Sequence, residues 1–227
     1  MEDDIDWDVR VKDILREYAL SSNGLLKLNN GSTISFDQLL TNPETKTSPY
    51  GDGWDVLWLG HCGMRLKTGE SRVIHANDIT VPESQYLRSW DINEETPLLI
   101  YPNHTRISMP LSDGVCSLAY AVSQEGARSI LNSIGLEKLD NAFDIMLRDF
   151  CVGGGERESH RCLGVLPQIF DHHRRKGSGS GDSDIEDHSD TTREKAETLN
   201  IRWSVRMNMA RILRGETTYE DQYPDTS

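Results

Sequence analysis

The stretch Trp54-Asp55-Val56-Leu57-Trp58-Leu59-Gly60-His61 does most to decide the fold. Its apolar residues run without interruption from Val56 to Leu59, and Gly60 ends them. A short apolar run that stops at a glycine is typical of a buried strand that leads into a loop. Because the functional side chains of α/β proteins gather where such strands end, His61 is a candidate site residue.

Further strands and helices alternate on both sides of this stretch. The other predicted strands are 72–75, 97–101, 117–122 and 162–170. The predicted helices are 7–20, a short one near 36–40, one that begins after Ser123, 143–150 and 200–213. The rest of 21–53 is expected to form a long surface loop, and Pro167 places the last strand at a sheet edge. Alternating strands and helices indicate the α/β class.

Two segments differ in composition from this pattern. Residues 177–193 are rich in Ser, Gly and Asp, which predicts a mobile insert. Residues 215–227 are polar and are expected to form a disordered tail. The sequence therefore predicts one domain over 1–214 with an insert near 177–193.

The charge of the chain argues against nucleic acid as a partner. Asp and Glu outnumber Lys and Arg by 37 to 24, for a net charge of −13, and non-specific binding to phosphate needs clustered cations. No stretch approaches the ~18 apolar residues of a membrane span. The start Met1-Glu2-Asp3-Asp4 lacks the features of a signal peptide, so the chain as written is expected in the cytoplasm.

Other features suit a secreted protein. Asn30-Gly31-Ser32 and Asn103-His104-Thr105 are acceptor triplets for N-glycosylation, although such triplets often arise by chance. The four cysteines contain no CxxC pair, which disfavours a zinc knuckle. One or two disulfide bridges remain open if the protein enters an oxidising compartment.

The acidic cluster Glu2, Asp3, Asp4 and Asp6 is the sharpest candidate for chemistry. In an extended segment Glu2, Asp4 and Asp6 project to one side, because side chains alternate with period two. Carboxylates on one side of a strand end can hold Mg²⁺ or Mn²⁺ through oxygen. Composition alone favours the other interpretation, a solvated acidic terminus.

Three further residues are candidates. Asp144, at the start of a predicted helix, suits a general base, although the residues alone favour helix capping and complementarity to the helix dipole. His172 and His173 follow an apolar strand and precede Arg174, Arg175 and Lys176, a setting that suits a cation or a phosphate. Two adjacent histidines of a regular strand cannot both face one ion, so at most one is a ligand.

Taken together, these residues resemble glycosyltransferase family 25, the lipopolysaccharide and procollagen galactosyltransferases, and most closely its fungal members. The stretches that carry the resemblance fall in family order along the chain: 2–9, 54–61, 119–123 with Gly126-Ala127, Phe143-Asp144, 168–170 with His172-His173, 183–185 and 200–206.

This resemblance implies the C-terminal half of a GT-A fold and a transfer of a hexose, galactose by analogy, from a UDP-sugar to a hydroxyl of a glycan or protein. It implies Mn²⁺ or Mg²⁺ bound by Glu2, Asp4 and His172. It assigns Asp3, Asp4 and His173 to the cofactor and its diphosphate. Asp144 is implied as the base of an inverting displacement.

The resemblance also has a departure. In the family the acidic motif ends a strand in mid-domain, after a half that binds uridine and ribose, whereas here Met1 stands where that strand's apolar residues are expected. We therefore expect an N-terminally truncated member, located in the secretory pathway if its true start is missing. The alternatives are a non-catalytic remnant or interaction module and, with less support, a metal-dependent hydrolase.

Overall fold

A computed structural model describes residues 1–67, 69–88, 100–179 and 192–226, and within them it contains a mixed, partly parallel nine-stranded sheet flanked by four helices. The α/β prediction is confirmed. The strands are β1 Ile5–Trp7, β2 Thr33–Ser35, β3 Val56–Gly60, β4 Gly63–Met64, β5 Arg72–His75, β6 Arg106–Pro110, β7 Gly114–Val115, β8 Ala119–Val122, β9 Cys162–Leu166, β10 Phe170–Arg174, β11 Gly177–Ser178, β12 Thr192–Arg193 and β13 Glu197–Thr198. The helices are α1 Val11–Lys27, α2 Gln124–Ile130, α3 Phe143–Val152 and α4 Val205–Leu213.

The main path of the sheet has the order β1-β10-β3-β9-β6-β5-β2, and β8 and β13 add to β3 and β10. Neighbours are parallel at β10–β3, β3–β9 and β5–β2. They are antiparallel at β1–β10, β9–β6 and β6–β5. The strands β11 and β12 form a separate pair, as do β4 and β7.

Strand β3 lies inside the sheet, between β10 and β9, and is buried along its whole length. Val56 and Trp58 pack into the apolar cluster formed with α3, while Leu57 and Leu59 pack into the cluster formed with α1. Side chains of a strand alternate between two faces, so a sheet covered on both faces needs an unbroken apolar run. The need for apolar side chains on both faces explains the uninterrupted apolar run from Val56 to Leu59.

Several predicted boundaries were wrong. Trp7 belongs to β1 rather than to a helix over 7–20, because Ile5–Trp7 pairs with β10, and α1 begins at Val11 and continues to Lys27. The expected loop over 21–53 therefore begins later and also contains β2. The strand predicted over 162–170 is two strands, of which β9 lies between β3 and β6 instead of at an edge.

The helices near the sheet are closer to expectation. Ser123 caps α2 by accepting a hydrogen bond from the Gly126 amide at 2.9 Å, as the sequence predicts. The helix predicted over 200–213 begins only at Val205, with Ser204 as its cap. The prediction over 97–101 lies mostly outside the described residues, and so does most of the insert predicted near 177–193.

The described part of the C-terminal tail is packed against the body of the protein, contrary to the predicted disorder. Tyr223 is buried, and Thr226 donates its backbone and hydroxyl hydrogen bonds to Glu83. Arg202 pairs with Asp221 at 2.6 Å. The polar composition of 215–227 predicted a disordered tail, because the residues that this segment contacts are distant in the sequence.

The sequence left open whether the protein has one or two disulfide bridges, and the structure contains two. Cys62 is bonded to Cys116, and Cys151 to Cys162, so all four cysteines are paired. The first bridge joins the turn after β3 to the turn before β8. Among the described helices, none has the length and apolar character needed to cross a membrane.

Candidate functional site

The candidate site lies beyond the carboxyl end of β3. Gly60, the last residue of β3, pairs with Phe170, the first residue of β10, so β10 extends past the end of its neighbour. A Cβ on Gly60 would meet the Phe170 carbonyl oxygen and the Ala119 amide nitrogen at 3.0 Å, so the close approach of these strands requires glycine. Ligands of α/β proteins bind at such carboxyl ends.

Strand β1 carries the acidic cluster to this position. Ile5 pairs with His172 of β10, and the His173 amide donates to the Asp4 carbonyl oxygen at 2.8 Å. The Glu2 amide donates to the Leu118 carbonyl oxygen at 2.9 Å, one residue before β8. Main-chain hydrogen bonds on two sides therefore hold the acidic segment at the strand ends.

Two carboxylates and one imidazole come together here. His172 Nε2 lies 3.6 Å from Glu2 Oε2 and 3.7 Å from Asp4 Oδ2. The side chains remain accessible, with exposed fractions of 44% for Glu2, 36% for Asp4 and 19% for His172. Around an octahedral ion with oxygen ligands at about 2.1 Å, ligand atoms lie about 3 to 4 Å apart. The observed spacing therefore suits a divalent cation.

The His172 ring is set to be neutral near physiological pH. Burial lowers its pKa, and Arg174 lowers it further, while Asp4 and Glu2 act in the opposite direction. A neutral imidazole has a lone pair available for a metal, whereas a protonated one does not. The site therefore favours the ligand form of His172.

A positively charged side chain, that of Arg174, already lies beside Asp4. Arg174 Nη1 lies 3.1 Å from Asp4 Oδ2, the same oxygen that faces His172. A metal at this position would compete with Arg174 for Asp4. Arg174 is one of the basic residues that, from the sequence, suit a phosphate next to the cation site.

Asp6 does not join this group, although the alternation of an extended strand predicted that it would. Its carboxylate is fully buried and accepts hydrogen bonds from the Thr198 hydroxyl at 2.7 Å and from the Ser204 hydroxyl. The Arg206 amide adds a third at 3.2 Å. These three donors come from residues 198–206, around the start of α4, so Asp6 ties β1 to that segment.

His173 faces Asp6 rather than the Glu2–Asp4 group. Its Nδ1 lies 2.9 Å from the Thr198 hydroxyl, whose own proton is donated to Asp6, so Nδ1 is the protonated nitrogen. Burial lowers the His173 pKa, as do Arg206 and Arg174, against the effect of Asp6. The neutral ring thus keeps its lone pair on Nε2. The structure places His172 and His173 in different surroundings, in line with the expectation that at most one is a ligand.

The side chain of Asp3 is exposed and lies outside the group formed by Glu2, Asp4 and His172. Its carbonyl oxygen accepts a hydrogen bond from the Arg206 guanidinium, which also donates to the Ile5 carbonyl oxygen at 2.9 Å. Arg206 therefore fixes the backbone of the acidic segment. No role for this arginine could be inferred from the sequence, because its partners are main-chain atoms far away in the chain.

Asp144 is connected to the acidic segment through the turn that contains Cys116 and Leu118. It is in the first turn of α3, and its Oδ2 accepts a hydrogen bond from the Cys116 amide at 2.9 Å. Leu118, which holds Glu2, is two residues further on, and two residues span at most about 7 Å. The Cys62–Cys116 bridge anchors this turn.

His61 points into the protein instead of toward the site. The ring is fully buried, and Nε2 donates to the Val165 carbonyl oxygen at 2.9 Å. Nδ1 has no hydrogen-bond partner among the described residues, and burial lowers the pKa of the ring to about 4. His61 is therefore a neutral core residue in this structure.

Sequence reasoning missed Asp171, a buried carboxyl in strand β10. Burial raises its pKa to about 7, although the His172 amide, Asn200 and Gln168 donate hydrogen bonds to it. An acidic residue directly after the apolar pair Ile169-Phe170 was the available signal. Through Gln168, Asp171 stabilises the connection from β9 to β10, and through Asn200 it ties β10 to the segment before α4.

Carboxylates and histidines also meet at two other places in the described chain. Glu17, His75 and Asp78 form one group, in which Arg106 already neutralises Asp78 at 2.6 Å. The second consists of Glu83, His104 and Asp225 at the packed tail, where Gln85 and Thr226 occupy Glu83. Both groups have partners within the protein, and neither lies at the carboxyl end of β3.

Comparisons with protein families, with curated proteins and with solved structures found no match to this chain. The resemblance to glycosyltransferase family 25 therefore depends on the quoted stretches alone.

Proposed function

We propose that this chain is a glycosyltransferase of the family 25 type, built on the C-terminal half of a GT-A fold. In this proposal it transfers a hexose, galactose by analogy, from a UDP-sugar to a hydroxyl of a glycan or protein. The observation that carries the proposal is the meeting of Glu2, Asp4 and His172 at the carboxyl end of β3. Glu2 and His172 are 170 positions apart in the sequence. The resemblance implies that the acidic motif and the paired histidines contribute to one site.

The donor set fits Mn²⁺ or Mg²⁺. Two carboxylate oxygens and one imidazole nitrogen lie within 4.8 Å of one another, and Mn²⁺ accepts both oxygen and imidazole ligands. When bound, such a cation would offset the negative charge that develops on a diphosphate leaving group. Glu2, Asp4 and His172 would hold it.

Arg174 supports the diphosphate part of the proposal. Its guanidinium is held beside Asp4 at 3.1 Å, and a planar guanidinium is well suited to phosphate oxygens. His173 gives this part no support, because its neutral ring faces Asp6 and uses its N–H on the Thr198 hydroxyl. A diphosphate bound here would face the positive charge of Arg174 on β10.

Asp144 has the role of base in this scheme. Its Oδ2 accepts a hydrogen bond from the Cys116 amide, in the turn whose Leu118 carbonyl oxygen accepts from the Glu2 amide. The acceptor hydroxyl would give its proton to Asp144 while its oxygen bonds to the anomeric carbon of the sugar. The bond from that carbon to the β-phosphate oxygen would break, and UDP would leave with the electron pair.

One observation favours the alternative of a non-catalytic protein. Arg174 already neutralises Asp4, so the cluster is held together without an ion. In this case Glu2, Asp4 and His172 would serve only to attach β1 to β10. The transferase function requires both Mn²⁺ binding and release of UDP from a UDP-sugar, and the loss of either would favour the non-catalytic alternative.

Mn²⁺ titration of matched variants tests the proposal. Asp4→Asn and Asp3→Asn remove the same charge from adjacent positions, but only the first changes a member of the group. We expect Asp4→Asn and His172→Ala to weaken Mn²⁺ binding about tenfold or more, and Asp3→Asn to leave it near the wild-type value. Equal affinities in the two Asp variants would remove the acidic segment from cation binding.

Turnover is the second measurement. Release of UDP from UDP-galactose in the presence of Mn²⁺ should be detectable in the wild-type chain and lost in Asp4→Asn and Asp144→Asn. If Asp144→Asn lost release of UDP but kept Mn²⁺ binding, the base and metal roles would be separated as proposed. A wild-type chain that binds Mn²⁺ but releases no UDP would favour the non-catalytic alternative.

A further inference from the structure

We infer that Asn30 is a site of N-linked glycosylation, that the second acceptor triplet at Asn103 is not, and that the chain folds in an oxidising compartment of the secretory pathway. The first observation is the pairing of all four cysteines in two disulfide bridges. Disulfides form and persist in oxidising compartments, which are also where asparagine is glycosylated. This inference does not depend on whether the chain transfers sugars.

The Asn30 triplet lies in an exposed turn between α1 and β2. The Ser32 amide donates to the Asn29 carbonyl oxygen at 3.1 Å, which closes the turn, and Gly31 has a φ of 78° that suits glycine. Asn30 and Gly31 are exposed, and the Asn30 amide makes no hydrogen bond to another described residue. A glycan can therefore be attached without displacing any contact in the described part of the chain.

The Asn103 triplet is engaged within the fold. Asn103 Oδ1 accepts hydrogen bonds from the Ser84 amide at 3.0 Å and its hydroxyl at 2.7 Å, and Nδ2 donates to Glu83 at 3.3 Å. Thr105, whose hydroxyl belongs to the triplet, is only 3% exposed and donates to the Pro102 carbonyl oxygen. A glycan on Nδ2 would enter the cluster in which Glu83 holds the C-terminal tail.

The position of Asn30 is compatible with an active site elsewhere. The turn leads into β2, the last strand of the sheet order, whereas the Glu2–Asp4–His172 group lies at β1 and β10 at the other end. A glycan at Asn30 would lie beside the open edge of β2 and leave the candidate site uncovered. Covering an edge strand also hinders pairing with other chains.

The reaction joins Asn30 to a lipid-linked oligosaccharide diphosphate. The amide Nδ2 forms a bond to the anomeric carbon of the first sugar and loses one proton to a base of the glycosylating enzyme. The bond between that carbon and the diphosphate breaks, and the diphosphate keeps the electron pair. No oxidant or reductant is required for this step.

The test is expression of the full chain behind a secretion signal in yeast, with medium and membrane fractions both analysed. The samples are treated with a peptide N-glycosidase, which converts a glycosylated asparagine to aspartate that mass spectrometry locates. We expect a loss of mass in the wild type and in Asn103→Gln, and none in Asn30→Gln or Ser32→Ala. Conversion is expected at Asn30 alone.

Two results would overturn the inference. One is an unchanged wild-type chain after treatment, and the other is conversion at Asn103, with or without Asn30. Thiol titration of the denatured, unreduced wild-type chain checks the compartment: we expect no free thiol, and reactive thiols would contradict the oxidising route. Because Asn30 and Ser32 make no side-chain hydrogen bond to other described residues, both variants should fold as the wild type does.

Discussion

Acid should destabilise this fold through His61. The ring is fully buried with Nδ1 unpartnered, and burial lowers its pKa from 6.5 to about 4. In the unfolded chain the histidine binds its proton near pH 6.5, so between the two values the unfolded state holds more protons. Stability is therefore lost as the pH falls through this window. From about pH 7 to about pH 4 the linkage amounts to about 3 kcal/mol.

The matched variant is His61→Gln, because a glutamine amide can still donate to the Val165 carbonyl oxygen but does not titrate. Unfolding free energies are measured in urea by tryptophan fluorescence, since Trp58 is buried in β3, the strand that ends one residue before His61. The variant should lose about 3 kcal/mol less than the wild type on acidification. All other titrating groups contribute equally to both proteins, so the difference isolates His61.

The result that would refute this reasoning is an equal loss of stability in both proteins between about pH 7 and about pH 4. A lower stability of His61→Gln at every pH would not affect the comparison, because only the change with pH is used. Proton NMR of the His61 ring gives a second, direct reading. A ring that titrates near its usual pKa in the folded protein would show that the ring is not held in the buried position.

Three further perturbations follow from individual contacts. Burial raises the pKa of Asp171 to about 7, so this carboxyl binds its proton more tightly in the folded protein than in the unfolded chain. The unfolding free energy should therefore fall by up to about 4 kcal/mol as the pH rises from about 4 to about 8. Asp171→Asn should flatten this pH dependence, as measured by urea unfolding. Gly126→Ala would place a Cβ 2.3 Å from the Asp55 carbonyl oxygen and should lower the unfolding free energy by about 2 kcal/mol; an unchanged urea midpoint would contradict this contact. Replacing Cys62 and Cys116 by serine opens a 54-residue loop and should cost about 4 kcal/mol, seen as a lower melting temperature than that of the oxidised wild type.

Elements that depend on neighbours in sequence were predictable. The strand at Val56–Gly60 follows from its unbroken apolar run, and the start of α2 follows from Ser123, whose hydroxyl accepts from an amide three residues away. The cap of α2 is a hydrogen bond within the segment, and β3 needs only apolar neighbours on both faces, whichever residues supply them. Such structure can be predicted without knowing the partners of the segment.

Elements that depend on distant partners were not predictable. Trp7 has helical spacing with Val11 and Ile14, but the pairing of Ile5–Trp7 with β10 outweighs that preference. The same reason explains Asp6, whose buried donors come from 198–206. The order of strands in the sheet, which puts β9 in the centre, is likewise absent from local pattern.

The candidate site divides in the same way. The residue types of Glu2, Asp4 and His172 pointed to a cation, because carboxylates and imidazole are its ordinary ligands. Which histidine faces the carboxylates depends on the register of β1 against β10, where Ile5 is opposite His172. A shift of one residue would have exchanged His172 and His173.

The attachment of Asp6 has a consequence for synthesis on the ribosome. The hydroxyls and amide that receive its carboxylate are contributed by Thr198, Ser204 and Arg206, which are synthesised long after β1. Until they emerge, the buried carboxylate of Asp6 lacks these donors even where β1 has already paired with β10, while α1 and the apolar strands behind it are collapsing. In ribosome-bound chains that stop before Thr198, β1 should accordingly be more open to protease than in chains that extend past α4.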